Sequence, residues 1–186
     1  MSYIDEMLSF NKQFVSSKQY VCFSCSGRPE KKIAILACMD TRLVEILPAA
    51  LNFKNGDVIL IKNAGARISH PFGSIMRSLL IAVYELGVEH ILVIGHHDCK
   101  VEGMTSAGLV QKMASRNIPQ EKIDFIEACG VNIDKWLKGF ESVEKSIEDT
   151  VKTIKHHPLF PCDIDVRGFI MNPSTGKLDE VKTKTS

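Results

Sequence analysis

The chain has 186 residues, of which 45% are hydrophobic and 24% charged; this is ordinary for a folded protein and too apolar for intrinsic disorder. The formal net charge of +1 gives no surplus that points to nucleic acid or to an anionic membrane surface, and the length favours a single domain, residues 1–186. No run of about 18 apolar residues occurs, so we expect no transmembrane helix.

The N-terminal segment mixes acidic and basic residues among its apolar positions, unlike a secretory signal. We therefore expect a cytoplasmic protein in a reducing environment. In that environment the six cysteines are expected to be inert, metal-bound or reactive rather than paired in disulfides.

The first half of the chain alternates between helical and strand patterns. Mixed helical spacing of apolar residues predicts an amphipathic helix over 3–16, within a helical arm of about residues 1–20. Short, nearly continuous apolar runs predict strands at 33–38, 57–63 and 90–96, each buried on both faces.

Helices are predicted between and after these strands. An apolar face indicates a helix over 71–86, and shorter helices are expected at 105–116 and 120–129. One apolar stripe predicts a long helix over 132–155, followed by a late strand at 163–171. Buried strands that alternate with helices favour an α/β fold with a mainly parallel central sheet flanked by helices.

Two of the predicted strands end in residues that bind metals. The first strand runs into Cys38, and the third runs into His96 and Cys99. If the two strands are neighbours, these side chains converge beyond the carboxyl ends of the strands, where ligands bind in open α/β sheets. Two thiolates and an imidazole are suitable ligands for Zn²⁺, and a catalytic zinc site keeps a fourth position open.

Asp40 and Arg42 follow the first ligand closely. Asp40 either occupies the fourth position itself or accepts a hydrogen bond from hydroxide on the metal, and an ion pair with Arg42 would hold it off the metal. The spacing is thus consistent with a closed and an open state. A structural ion pair is the alternative interpretation, and that role is compatible with the catalytic one.

Three motifs, each at the end of a predicted strand, closely resemble those of the β-class carbonic anhydrases. They are Cys38-x-Asp40-x-Arg42, Asn63-Ala64-Gly65 and Gly95-His96-x-x-Cys99. The resemblance implies a zinc lyase, carbonate dehydratase, in which hydroxide on the zinc reversibly hydrates carbon dioxide to bicarbonate and a proton. It also implies a homodimer or a dimer of dimers, in which the N-terminal helix packs across the partner near the active site.

The resemblance assigns roles by position. The metal ligands would be Cys38, His96 and Cys99, with Asp40 as a fourth ligand in a closed state, and Asp40 and Arg42 would be catalytic. The backbone at Ala64 and Gly65 is a candidate surface on the substrate side, because glycine permits close approach. Lys100 departs from the family pattern, which commonly has glycine after the second cysteine.

Two other functions are compatible with these residues. Relatives of this fold hydrolyse carbon disulfide or carbonyl sulfide, a reaction that needs only a different substrate pocket. A zinc site closed permanently by Asp40 would instead make the chain a non-catalytic scaffold protein. The pair Cys22 and Cys25 lies in a connector without a second nearby pair, and we interpret both residues as ordinary thiols.

Overall fold

The fold is a five-stranded sheet with helices around it, seen in a computed structural model that describes residues 2–182. The strands are β1 (Ile33–Cys38), β2 (Val58–Asn63), β3 (His90–His96), β4 (Asp165–Met171) and β5 (Leu178–Val181). Their order is β2-β1-β3-β4-β5; the first four are parallel, and β5 pairs antiparallel with β4. The predicted mainly parallel sheet is confirmed.

The helices are α1 (Tyr3–Ser16), α2 (Ile46–Ala50), α3 (Ser74–Tyr84), α4 (Ser106–Ala114), α5 (Gln120–Ala128), α6 (Ile133–Leu137) and α7 (Val143–Lys155). The sequence predicted α1, α3, α4 and α5 with small differences at their ends, but not the short α2 or the edge strand β5. None of the helices in the described part of the chain is long and apolar enough to cross a membrane.

Burial of β1 matches its place in the interior of the sheet, between β2 and β3. Residues 34–38 are all buried, as a strand covered on both faces requires. From β1 the chain adds β2 on one side and then β3 on the other, so its direction around the sheet reverses between β1 and β3. The carboxyl ends of these two strands therefore flank a topological switch point, the usual ligand position in such sheets.

Two glycines let α7 lie very close to the sheet. A Cβ atom on Gly95 of β3 would lie 2.7 Å from the side chain of Val143, and one on Gly168 of β4 would lie 2.6 Å from that of Ile147. Any larger residue would therefore push the helix away. The consequence is a tightly packed layer directly beneath the end of β3.

The single helix predicted over 132–155 is wrong, because the chain forms α6 and α7 with a break at 138–142. Within the break, the Gly139 N–H donates to the Met104 carbonyl (2.8 Å) and the Phe140 carbonyl accepts from Gly103 (2.9 Å). The helix is thus interrupted so that this segment can pair with the loop after β3. Ser142 then caps α7, and Trp136, which the stripe predicted to be apolar core, is 63% exposed.

We expect Gly139→Ala to destabilise the protein by about 1–3 kcal/mol, since a Cβ there would lie 1.9 Å from the carbonyl oxygen of Val101 and must displace backbone. Urea unfolding measures the change. The matched control is Gly27→Ala, which meets no atom within 4 Å and should leave the unfolding midpoint nearly unchanged. Equal midpoints for both variants would contradict the close contact.

Candidate metal centre

Three metal-binding side chains meet at the ends of β1 and β3. The donor atoms of Cys38, His96 and Cys99 all lie within 4.8 Å of one another, and the two sulfur atoms are 3.8 Å apart. All three residues are buried, with exposed fractions of 3%, 0% and 6%. Residues far apart in the sequence are thus brought together at the switch point, in the arrangement that the motifs suggested.

The orientation of His96 is fixed by its backbone surroundings. Its Nδ1 lies 2.8 Å from the His97 carbonyl oxygen, which can only accept a hydrogen bond, so Nδ1 carries the proton. In the neutral ring, which is the form that ligates metals, Nε2 is then unprotonated, and this atom is buried without a geometrically acceptable hydrogen-bond partner among residues 2–182. A buried, unpaired nitrogen that faces two sulfur atoms is the geometry of a metal ligand, with its other ring nitrogen held as is usual for ligating histidines.

The chemistry of the donor set selects the kind of metal. Two sulfur donors and one imidazole suit Zn²⁺, which binds such ligands in tetrahedral geometry, and they suit Mg²⁺ or Ca²⁺ poorly. The three residues therefore fit a zinc ion with one position left for a fourth ligand. No second cluster of three such side chains occurs elsewhere in the described chain.

The two thiols differ in acidity. Burial raises the pKa of Cys38, but the neighbouring His96 and hydrogen bonds from the backbone N–H groups of Asp40 and Gly65 outweigh it and lower the pKa to about 7. Burial raises the pKa of Cys99 to about 11, and the charge of Cys38 adds to that rise. A metal ion that binds both residues as thiolates must therefore displace a proton from Cys99.

Asp40 is held by Arg42 beside the donor set. The Arg42 side chain donates from Nε to Oδ1 (3.0 Å) and from Nη2 to Oδ2 (2.9 Å), and its backbone N–H donates to Oδ1 (2.9 Å). These hydrogen bonds hold the pKa of Asp40 well below its usual range, so the carboxylate stays ionised near neutral pH. Asp40 Oδ2 lies 3.7 Å from His96 Nε2, close to the donor set, while both carboxylate oxygens are paired with Arg42. Whether Asp40 opens or closes the site stays a prediction.

Arg42 also joins the two ligand-bearing loops. Its Nη2 donates to the Asp98 carbonyl oxygen (3.2 Å), which lies between His96 and Cys99. Asp98 has a φ of 57°, so the turn that places Cys99 passes through a left-handed conformation. Lys100, the departure from the family pattern, is exposed beside this turn.

The loop at Ala64 and Gly65 lies against the first ligand. Ala64 is exposed, whereas Gly65 is buried with a φ of 81° and directs its N–H at Cys38. A Cβ on Gly65 would lie 2.7 Å from the ring of Phe140, so only glycine fits there. The expected role of this loop on the substrate side stays a prediction; its contact with the ligand sulfur was not foreseen.

The remaining cysteines and histidines lie apart from this centre. Cys22, Cys25, Cys129 and Cys162 are all exposed and none of them lies in the core. The ring of His156 contacts the Lys152 carbonyl oxygen (2.8 Å) and so helps to cap the end of α7. Its neighbour His157 is buried beside Phe160 instead.

Comparison with known proteins gives consistent results. A family model described as "Carbonic anhydrase" matches residues 33–178. The Bacillus subtilis protein named "Putative carbonic anhydrase YtiB" is 52% identical over 179 residues, 96% of this chain and 96% of that protein. The crystal structure of β-carbonic anhydrase isoform I from Trichomonas vaginalis has a TM-score of 0.89 at 30% identity and covers 100% of both chains.

A relative with a different activity in its name is more distant. The carbon disulfide hydrolase of Acidithiobacillus thiooxidans is 23% identical over 172 residues, which is 89% of this chain and 85% of that protein. The chain is therefore similar to proteins that are named for reactions on two different substrates.

We expect Cys38→Ser and His96→Ala to lose bound zinc, because each removes one of three buried donors; the zinc content should fall at least roughly tenfold. Elemental analysis of purified protein measures it. Cys129→Ser, which changes an exposed cysteine, is the control and should retain the metal. Full zinc content in both ligand variants would mean that the ion binds elsewhere.

Proposed function

The chain belongs to the β-class carbonic anhydrase family, and on this premise we propose that it catalyses the reversible hydration of carbon dioxide to bicarbonate and a proton. The observation that carries the proposal is the buried set of two sulfur atoms and one nitrogen beside a carboxylate held by arginine. β-Class carbonic anhydrases are zinc enzymes, and Cys38, His96 and Cys99 would hold the ion. We further propose that the protein acts in the reducing cytoplasm, where both thiols remain available.

Zn²⁺ in this position would supply the Lewis acidity that brings the pKa of water from near 16 to about 7. Asp40 would orient that water. Its carboxylate is ionised near neutral pH, so it accepts hydrogen bonds and does not donate them. Since Oδ2 faces His96 Nε2 across 3.7 Å, a water molecule beside the donor set can donate to Oδ2 and keep a lone pair free for carbon dioxide.

Arg42 would keep Asp40 available for this task. Both carboxylate oxygens accept from the guanidinium group, and Oδ1 also accepts from the backbone. If Asp40 were to ligate the metal, it would have to give up part of this bidentate pair. The geometry thus supports an open catalytic site over a zinc site closed by Asp40 in a non-catalytic scaffold.

Carbon disulfide hydrolysis is the second candidate function. It is supported by the similarity of this chain to the carbon disulfide hydrolase of Acidithiobacillus thiooxidans. Its chemistry needs the same donor set, and the two reactions differ in the substrate that the pocket accepts and in the release of sulfide as a product. The greater identity to proteins named as carbonic anhydrases supports carbon dioxide as the substrate of this chain.

Zinc-loaded protein should accelerate carbon dioxide hydration in a stopped-flow assay with a pH indicator. The same preparation should release no sulfide from carbon disulfide. Sulfide release without carbon dioxide turnover would contradict the proposed function and support carbon disulfide hydrolysis instead. Inactivity on both substrates, with zinc present at about pH 6.5–9, would support a scaffold instead.

Asp40→Asn should retain zinc yet lower kcat by about 10²- to 10⁴-fold, because an amide nitrogen cannot accept the hydrogen bond that the carboxylate oxygen accepts. Stopped-flow rates and zinc content are measured on one preparation. Asp179→Asn, at an exposed carboxylate paired with Lys177, is the control and should keep the wild-type rate. A wild-type rate in Asp40→Asn would remove Asp40 from the mechanism.

The pH dependence follows from the same ion pair. A lowered pKa means that Asp40 is ionised above its ordinary pKa of about 4 and gains a proton only when the pH falls through its lower folded-state value. Any change in activity near neutral pH must therefore come from another group.

We propose that the protein is a homodimer in which α1 packs on the partner. No residue of α1 is buried, and large apolar side chains on it, such as Met7 (73%) and Phe10 (60%), are exposed. A helix with an apolar stripe is rarely left in water, since apolar patches of this kind usually mark interfaces. A second copy of the chain is the partner that the family resemblance suggests.

The double substitution Met7→Glu/Phe10→Glu should shift the protein towards monomers, because charges would enter the apolar contact. Sedimentation equilibrium measures the mass. Phe125→Glu changes an equally exposed apolar side chain (70%) on α5 and is expected to leave the mass unchanged. If wild-type protein is already monomeric at micromolar concentration, the dimer proposal fails.

A further inference from the structure

The loop that follows β2 is closed by one side chain. The Asn63 amide donates from Nδ2 to the Arg67 carbonyl oxygen (2.7 Å), and its Oδ1 accepts from the Arg67 N–H (3.2 Å). A single side chain therefore satisfies both backbone groups of a residue four positions away. The effect is a fixed loop between Asn63 and Arg67.

This loop has a conformation that needs support. Gly65 and Ala66 have φ values of 81° and 53°, so two consecutive residues are left-handed, and the second is not glycine. Left-handed backbone at alanine is strained and persists only where surrounding contacts hold it. Both residues are buried, and the two hydrogen bonds of Asn63 span the strained pair.

The loop delivers one N–H group to the metal centre. Asn63 lies opposite Cys38 in the register of β2 with β1, and its carbonyl oxygen accepts from the Met39 N–H (2.8 Å), so the loop begins directly beside the first ligand. Two residues on, the N–H of Gly65 faces the Cys38 sulfur. The ring of Phe140 lies against Gly65, so the loop is packed closely at this residue.

The Gly65 N–H group comes from a different part of the chain than the other backbone groups near the two thiols. Cys38 also accepts from the backbone of Asp40, and Cys99 accepts from Val101 and Glu102. Those three donors lie in the turns that follow the cysteines themselves. The Gly65 donor belongs to another strand and depends on a separate support.

A hydrogen bond from an N–H group to a thiolate changes the charge on the metal ion that the thiolate binds. Two thiolates and a neutral imidazole cancel the charge of Zn²⁺ and weaken it as a Lewis acid. A hydrogen bond to sulfur withdraws charge from the thiolate, so more positive charge remains on the ion.

From these observations we propose that Asn63 is a positioning residue of the metal centre. Its amide holds the 63–67 loop so that the Gly65 N–H stays on the Cys38 sulfur and limits how much charge that sulfur donates to the metal. The inference rests on the proposed zinc function, and it adds a residue that touches neither the metal nor the substrate.

Cobalt-substituted protein provides the test, since the sulfur-to-cobalt charge-transfer band in the ultraviolet reports directly on charge donation by the thiolates. Asn63→Ala removes both hydrogen bonds to Arg67. We expect its band to move to longer wavelength and its cobalt affinity to fall about 10- to 100-fold, as when a residue that supports a ligand is removed. A role in folding alone would lower stability without moving the band.

Asn172→Ala is the matched control. Asn172 also accepts two backbone N–H bonds through its side chain, from Ser174 and Thr175, but it does so in the turn between β4 and β5. Its band should stay at the wild-type position. An unshifted band in folded, cobalt-loaded Asn63→Ala, or an equal shift in Asn172→Ala, would overturn the inference.

Two further comparisons keep the outcome decisive. If Asn63→Ala does not fold, Asn63→Ser replaces it, because the uncharged hydroxyl is too short to hold both groups of Arg67 and the same shift is expected. If wild-type protein binds no cobalt and hydrates no carbon dioxide, the proposed function itself fails. An active, cobalt-binding wild type with an unmoved band in the variants rejects the role of Asn63 alone.

Discussion

The structure depends on the burial of two thiols and one imidazole nitrogen within 4.8 Å of one another. Removing polar atoms from water costs free energy unless they find partners, and His96 Nε2 has none in the described chain. A shared cation would resolve this conflict, because it would turn three poorly satisfied donors into ligands. The sheet order and the turn through Asp98 are the means by which the fold brings the donors together.

Two sets of contacts influence the charges around this centre. Arg42 fixes the ionisation and the direction of Asp40, which faces the position left open for a fourth ligand. Backbone N–H groups near the two sulfur atoms act on the thiols, since they favour the thiolate form. If the chain binds zinc as proposed, these N–H groups and the ion pair would both keep positive charge on the ion, whose donor set is otherwise neutral overall.

The sequence was sufficient to predict the parts that depend on local pattern. Apolar runs predicted β1 and β3, and the residues after them predicted which side chains would meet. It was insufficient where distant segments decide the structure. The break before α7 arises because Gly139 pairs with the loop after β3, and the stripe of apolar residues carries no sign of that pairing. The bonds from Asn63 to Arg67 likewise depend on a loop conformation that periodicity does not report.

The contact of α7 with bare α-carbons at Gly95 and Gly168 leaves no room for a larger residue at either position, because each glycine already lies against a branched side chain of the helix. Gly95 directly precedes His96 in β3, so the backbone that carries this candidate ligand is held by the packing of α7. Selection or engineering for a different substrate would therefore have to leave both glycines in place.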